Sequence, residues 1–316
     1  MRVSHLQQHQ SFVRDVDQRL YNMTRIQQEL GAGQRIFQPS EDVASAGHAM
    51  DSRSQIESIA QYRRNIENGQ GYVEAADAKL TSLVELLNEI DALALQADND
   101  HVTPEDRTFA AQELNQKLES LLEYANAQVG DRYLFAGHGT TAAPFAVTRD
   151  ANGLITSVAA VNESISGRVY RTIDENENVA INVTGDRLFQ PQGEAGTASD
   201  IFYVVAQLRD TIANDNTPPT GEEATLSTHV LRDNLDAVRQ RIVEQQTYLG
   251  ALGQRLENKL NDLSQAEINW TEQLEQAQGA DMTDLVSRLA VEEGVYNALL
   301  AIQSRVLSRS LIDYLG

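Results

Sequence analysis

The groups available for chemistry in this chain are six histidines and many carboxylates, with no cysteine. His5 and His9 stand four residues apart, a spacing that puts two imidazoles on one helical face and, with further ligands, holds zinc or nickel. No third ligand stands at useful spacing, so the pair reads as solvated or as facing a helix seam, and no metal is expected. His101 lies in a polar loop and His138 between two glycines, which are settings for turn residues rather than for general bases. Glu292 with Glu293, and the run Asp174-Glu175-Asn176-Glu177, place carboxylates close in sequence. General acid-base work needs two carboxylates across a substrate, whereas adjacent helical carboxylates point apart. The run also lacks the glycine and terminal glutamate of an EF-hand loop, so it reads as a solvated acidic surface.

The absence of cysteine removes disulfides, thiolate nucleophiles and thiolate metal sites together. A phosphate-cradling glycine loop, a serine elbow and HExxH are absent as well. Asn22, Asn162, Asn182 and Asn269 open glycosylation sequons, but Asn22 and Asn269 fall in helical patterns, and chance accounts for the matches. The single tryptophan, Trp270, follows Leu263 by seven residues and is expected in a core. No catalytic residue and no cofactor is expected, and the chain does not read as an enzyme.

The elements that hold these residues are helices at both flanks. In 316 residues, 46 acidic side chains oppose 25 basic ones, a formal charge of −21, which repels phosphate backbones and argues against nucleic acid or anionic membrane as partners. No apolar run is long enough to span a bilayer, and the start, MRVSHLQQHQ, lacks the layout of a cleavable signal peptide. Export, if it occurs, is expected by a route that does not read such a peptide. Leu6, His9, Val13, Val16, Leu20, Met23, Gln27 and Leu30 follow alternating steps of three and four, a narrow coiled-coil-like seam that needs a partner. LGAGQRIFQPSED breaks the helix, and Ser40 is expected to cap the next one, with Glu41 and Asp42 favouring its start. Ile66, Gly69, Val73, Ala76, Leu80, Leu83, Leu87, Ile90, Ala94 and Ala97 then keep one face over a long helix, with small residues allowing close packing.

After ADNDHVTPED, Thr103 is expected as an N-cap with Pro104 at the first helical position and Asp106 as the reciprocal acceptor. Ala111, Leu114, Leu118, Leu121 and Ala125 form the buried face, and an antiparallel hairpin with the preceding helix follows. Beyond Tyr133, turn residues punctuate short runs, and Val179, Ile181 and Val183 alternate with polar residues, so residues 137–192 read as β-rich. IFYVVAQLRDTI reads as helix and NDNTPPTGEE as loop. Leu231, Leu235, Val238, Ile242, Gln245, Leu249, Leu252, Leu256, Lys259 and Leu263 complete a bundle. Met282, Leu285, Leu289, Glu292, Tyr296, Leu299, Gln303 and Val306 form a last stripe. The two terminal helices are expected to pair antiparallel and to become ordered when neighbouring subunits cover them.

These segments resemble the flagellin superfamily of bacterial flagellar axial proteins, and within it the hook-associated protein 3 group. The carriers are LGAGQRIFQPSEDVASAGHAM, then QYRRNIENGQGYVEAADAKL with Gln61, Tyr62, Asn65 and Ile66, the element Gly130-Asp131-Arg132-Tyr133-Leu134-Phe135-Ala136-Gly137, LGALGQRLE, and the ending SRSLIDYL with Ser310, Leu311, Asp313, Tyr314 and Leu315. Phe37 and Val43 depart from the family pattern, and Val43 is expected to alter the local turn and cap. The resemblance implies a mainly α fold with a β-rich insertion, an elongated flagellin-like helical bundle with an antiparallel terminal coiled coil. The expected domains are 1–38 with 282–316 as the terminal coiled coil, 39–136 with 200–281 as the bundle, and 137–199 as a small β-rich outer domain.

What the resemblance further implies is an adaptor at the hook-filament junction, joining hook-associated protein 1 to flagellin, with flagellin itself as the alternative reading. Expected partners are hook-associated protein 1, flagellin, copies of the same chain and a cytosolic flagellar export chaperone, with no nucleic acid and no membrane insertion. Export through the flagellar type III apparatus would place the chain outside the cell. Axial packing is expected to fall on Leu6, Val13, Leu20, Leu299, Val306 and Leu311.

Overall fold

The computed structural model describes residues 2–99, 101–161, 163–191, 193–214 and 227–315. The protein is mainly helical with a β-rich insertion. Its elements in chain order are α1 (Arg2–Ala32), α2 (Val43–Ala97), α3 (Pro104–Ala125), β1 (Gln128–Val129), β2 (Arg132–Tyr133), β3 (Phe145–Arg149), β4 (Ile155–Ala160), β5 (Tyr170–Asp174), β6 (Glu177–Ala180), α4 (Gly185–Leu188), α5 (Ile201–Ala213), α6 (Thr228–Gln278) and α7 (Met282–Leu315). The chain forms two compact units, a terminal one of residues 1–59 with 264–316 and a central one of residues 60–263.

The central unit is organised by the stripe on α2. Every residue of that stripe from Ile66 to Ala97 is buried, and on α6 the apolar members from Leu231 to Leu263 are buried too. The two helices run antiparallel, as their polar contacts step along both in opposite senses. Asp91 accepts from Arg232 at 2.8 Å, Asn88 from Arg239 at 2.7 Å and Thr81 from Gln246 at 2.8 Å. Small residues set the approach: a Cβ on Gly69 would stand 3.1 Å from Ile181 Cγ2 and 3.8 Å from Leu256 Cδ1.

Helix α3 begins as its sequence dictates. The Thr103 hydroxyl accepts from the Asp106 amide at 3.2 Å and donates to the Asp106 carboxylate at 2.7 Å, with Pro104 in the first turn, a reciprocal cap that satisfies an otherwise orphaned N–H. Ala111, Leu114, Leu118, Leu121 and Ala125 are its buried face. Lys117 pairs with Glu89, and Lys79 lies 5.8 Å from the Tyr124 ring centroid, which fixes α2 and α3 as an antiparallel hairpin.

Among its described residues the insertion carries three separate antiparallel hairpins, β1-β2, β3-β4 and β5-β6. The first begins at Gln128, ahead of the expected onset at 137. Alternation also fails as a guide beyond Ala180: all residues from Val179 to Gly185 are buried, so neither face of that segment meets water. Here the Asn182 side chain substitutes for a strand neighbour, accepting from the Val169 amide at 2.7 Å and donating to the Gly167 carbonyl at 2.9 Å. The acidic run reads differently in three dimensions as well. Asp174 pairs with Lys259 and Glu177 with Arg255, so the run docks the β5-β6 hairpin on α6, and Lys259 in the α6 stripe gains its reason.

The GDRYLFAG element supplies the turn and second strand of the β1-β2 hairpin and the turn that follows. Leu134, Phe135 and Ala136 are buried. Tyr72 donates its hydroxyl to the Leu134 carbonyl, and burial pushes its phenol pKa up to about 12. Phe135 meets Phe189 edge-on at 5.4 Å between centroids; Phe189 meets Phe145 at 5.5 Å, and Phe145 meets Phe202 at 5.2 Å, geometry that favours aromatic pairs beyond their buried area. Beneath them the Asp200 carboxylate caps α5 through the Phe202 amide at 3.0 Å and accepts from Gln190 at 2.6 Å. Both side chains are buried and hydrogen-bonded, as burial of polar atoms requires.

Gly137 closes this turn with φ of +63°, and a Cβ there would stand 2.0 Å from the Ser164 carbonyl oxygen. Gly137→Ala is expected to destabilise the chain by at least about 2 kcal/mol, through left-handed strain and a backbone clash. Gly71→Ala, on α2 with nothing within 4 Å, should be neutral or stabilising by up to about 1 kcal/mol. Urea unfolding of the two variants checks the contrast.

Candidate functional site

The terminal unit holds the described residues predicted to carry assembly. Helices α1 and α7 pack together in antiparallel sense, with Gln34 bridging Gly279 at one end and Arg19 meeting Glu292 farther along. Arg19 donates to both Glu292 oxygens at 2.9 and 3.0 Å, and Asn22 adds a bond at 3.3 Å. Glu292 therefore has a purpose in a mostly apolar stripe. The hydrogen bond from Arg19, then that from Asn22, holds its carboxyl below the usual carboxylate range.

The face that α1 turns inward is rotated from the expected seam. Phe12, Val16, Arg19, Met23, Ile26 and Leu30 are half-buried, while Val13 and Leu20 are 41% and 42% exposed. Sequence spacing alone cannot separate these faces, because both share Val16, Met23 and Leu30. On α7, Leu285 is buried and Leu289, Tyr296, Leu299 and Gln303 are half-buried. Val286, Val291, Leu300 and Ile302 are exposed. The side chains of His5, Leu6, His9, Val306 and Leu311 lie outside the described residues. Trp270 is half-buried rather than in a core. Large apolar residues thus remain on the outside of a helix pair.

At the base of the pair, the turn after α1 is clamped to the turn before α7. Gly33 leaves the helix with φ of +67°, as a left-handed helix terminus requires. The Arg35 amide donates to the Gln278 carbonyl at 2.8 Å and the Ala280 amide to the Gly33 carbonyl at 3.1 Å. The Arg35 side chain donates to the Ala277 carbonyl at 2.9 Å and to Ser45 at 3.3 Å, and lies 3.5 Å from Asp42. Helix α2 starts at Val43 with Asp42 as its cap, the carboxylate accepting from the Ser45 amide at 3.0 Å. Ser40, expected in that role, sits too early and lies against Gln38 instead. Val43, 76% exposed, leaves the cap intact. Glu41 accepts from the Phe37 amide at 3.0 Å and lies 3.4 Å from Arg25. Backbone hydrogen bonds, from Phe37 to Glu41 and from Ser45 to Asp42, hold both carboxyls below their usual range.

Among the described residues, no three His, Cys, Asp or Glu side chains converge as a metal site, and no helix is long and apolar enough to cross a membrane.

Residues 3–140 match the bacterial flagellin N-terminal helical region. Over that span the chain is similar to the bacterial flagellins. It is 26% identical over 180 residues to the flagellar filament 30.7 kDa core protein of Treponema maltophilum, a match covering 55% of each chain and so little more than half of that relative. It is 25% identical to flagellar hook-associated protein 3 of Escherichia coli, over 72% of this chain and 71% of that one. Its fold is that of a flagellar hook-associated protein structure from Vibrio parahaemolyticus, with a TM-score of 0.62 at 20% identity, covering 76% of this chain and 100% of the other.

Glu41, Asp42 and Glu292 have folded pKa values below their unfolded ones. Their stabilising contribution is therefore present above the unfolded carboxylate value of about 4 and is lost as pH falls through the lower folded values. Hydrogen-exchange protection factors for α1 and for residues 33–42 are expected to drop on acidification through that window. Glu292→Gln should flatten the dependence in α1 alone; protection that stays level across the window contradicts the assignment.

Proposed function

We propose that this chain is a structural, non-enzymatic subunit at the hook-filament junction of the flagellum, joining hook-associated protein 1 to flagellin. The observation that carries the reading is the GDRYLFAG element, which resembles the junction group and is built into the core, with Phe135 in the phenylalanine cluster and Leu134 bonded to Tyr72. The fold likeness to a hook-associated protein supports it. The similarity to a filament core protein favours a second reading, that of a flagellin filament subunit. On either reading the partners are copies of the chain and neighbouring axial proteins, and a cytosolic export chaperone belongs to the export step.

The proposed division of labour gives axial packing to the terminal helices (1–38 with 282–316), a supporting wall to the bundle (39–136 with 200–281), and an outer surface to residues 137–199. Leu6, Val13, Leu20, Leu299, Val306 and Leu311 are the proposed packing residues. Val13 and Leu20, exposed in the single chain, are available to a neighbour. Covering such a surface on assembly supplies the ordering free energy that two narrow seams lack alone.

Deletion of the gene, with electron microscopy of the cells and assay of flagellin in the medium, tests the assignment. Bare hooks with flagellin shed as monomer are expected. Flagellin missing from both cells and medium would select the filament reading, and intact filaments would overturn both. Val13→Ser with Leu20→Ser should change monomer stability by no more than about 0.5 kcal/mol per site while abolishing incorporation into flagella. Incorporation at the natural level would remove these residues from the interface.

A further inference from the structure

Basic side chains in the central unit are mostly engaged within the chain. Lys117 pairs with Glu89, Arg149 with Glu119, Arg209 with Asp210, Arg232 with Asp91, Arg239 with Asp236, Arg255 with Glu177 and Lys259 with Asp174. With 46 acidic residues against 25 basic ones, carboxylates are in excess, yet some basic groups are left without one. Arg168 and Arg187 are two such groups: both are exposed, and neither has an acidic partner among the described residues. They line one pocket of about 120 Å³, together with Asn182, Gln245 and Tyr248.

The pocket is held in shape by the backbone. Arg168 lies between Gly167, whose carbonyl accepts from Asn182 at 2.9 Å, and Val169, whose amide donates to Asn182 at 2.7 Å. Arg187 is fixed by its amide on the Thr184 carbonyl at 3.2 Å. One amide side chain therefore pins the segment that carries the first arginine, just ahead of β5, and lines the pocket that the second one flanks. Guanidinium groups match a carboxylate with two parallel N–H bonds, and the Gln245 amide and Tyr248 hydroxyl add donors. Anchoring the backbone of both arginines in advance lowers the ordering cost of binding. The volume suits one small anionic group and not an extended ligand.

We propose that this pocket receives the carboxylate of an Asp or Glu side chain from a second copy of this chain, so that neighbouring subunits are joined by an arginine-carboxylate contact in the central unit. The occupant follows from charge: a chain of −21 brings carboxylates to nearly any face of a neighbouring copy, and two unengaged arginines relieve the resulting repulsion. The inference rests on the chain assembling in the flagellum, as proposed above.

The test replaces Tyr248 by the photo-cross-linking residue p-benzoylphenylalanine in the full chain, expressed in place of the natural copy, with illumination of isolated flagella and mass spectrometry of the products. A copy-to-copy cross-link to a peptide containing Asp or Glu is expected. It should fall at least about tenfold when Arg168→Gln and Arg187→Gln are added, and persist with the control pair Arg132→Gln and Arg171→Gln. Circular dichroism of each purified variant verifies folding. A cross-link to a different protein, no cross-link from flagella that contain the chain, or equal loss with the control pair would overturn the inference. Absence of the chain from the flagella, read by immunoblot, overturns the assembly reading itself and this inference with it.

Discussion

Burial of one continuous stripe on α2 against α6 is the constraint on which the central unit depends. An isolated helix of this composition cannot hide its apolar face, and helical propensity alone does not keep it folded in water. Pairing α2 with α6 hides both stripes at once and brings chain segments far apart in sequence into register, as Asp91 with Arg232 and Thr81 with Gln246 mark. With α3 folded back on α2, residues between α3 and α6 are carried as an insertion whose ends are already placed. That insertion then needs only a compact core of its own, which the phenylalanines around Phe189 and the Gln190-Asp200 bond supply.

The terminal unit follows the opposite logic. Its helices bury one side partly and leave Val13, Leu20, Val291 and Ile302 in water. What holds it is a small number of directed bonds: the Arg19-Glu292 contact and the clamp through Arg35, Gln278 and Gly33. Directed bonds near the surface fix geometry better than they add stability. A helix pair that is geometrically defined yet incompletely buried keeps apolar surface on its outside, and the proposed assembly role makes use of that surface.

Excess negative charge shapes the rest. Carboxylates that meet an internal arginine or lysine become structural ties, as Asp174 and Glu177 do on α6; the excess of the others leaves the chain with a formal charge of −21. The proposed copy-to-copy contact sets the two arginines of the pocket against that excess of negative charge.

Much of this architecture is legible in the chain before it folds. Three-four spacing marked the long helices, Thr103-Pro104-Asp106 marked a reciprocal cap, and the stripe from Ile66 to Ala97 proved buried at every position. These are local or periodic properties, and a helix expresses them wherever it packs. Tertiary contact alone decided the others. The inward face of α1 turned on Arg19 finding Glu292, Asp42 displaced Ser40 as the cap once Arg35 tied the turn to Ala277, and an acidic run that reads as solvated became a dock because Lys259 and Arg255 lie beneath it. Sequence determines which faces a helix has; which of two nearly equivalent faces is covered depends on a partner distant in the chain, and no period records that partner.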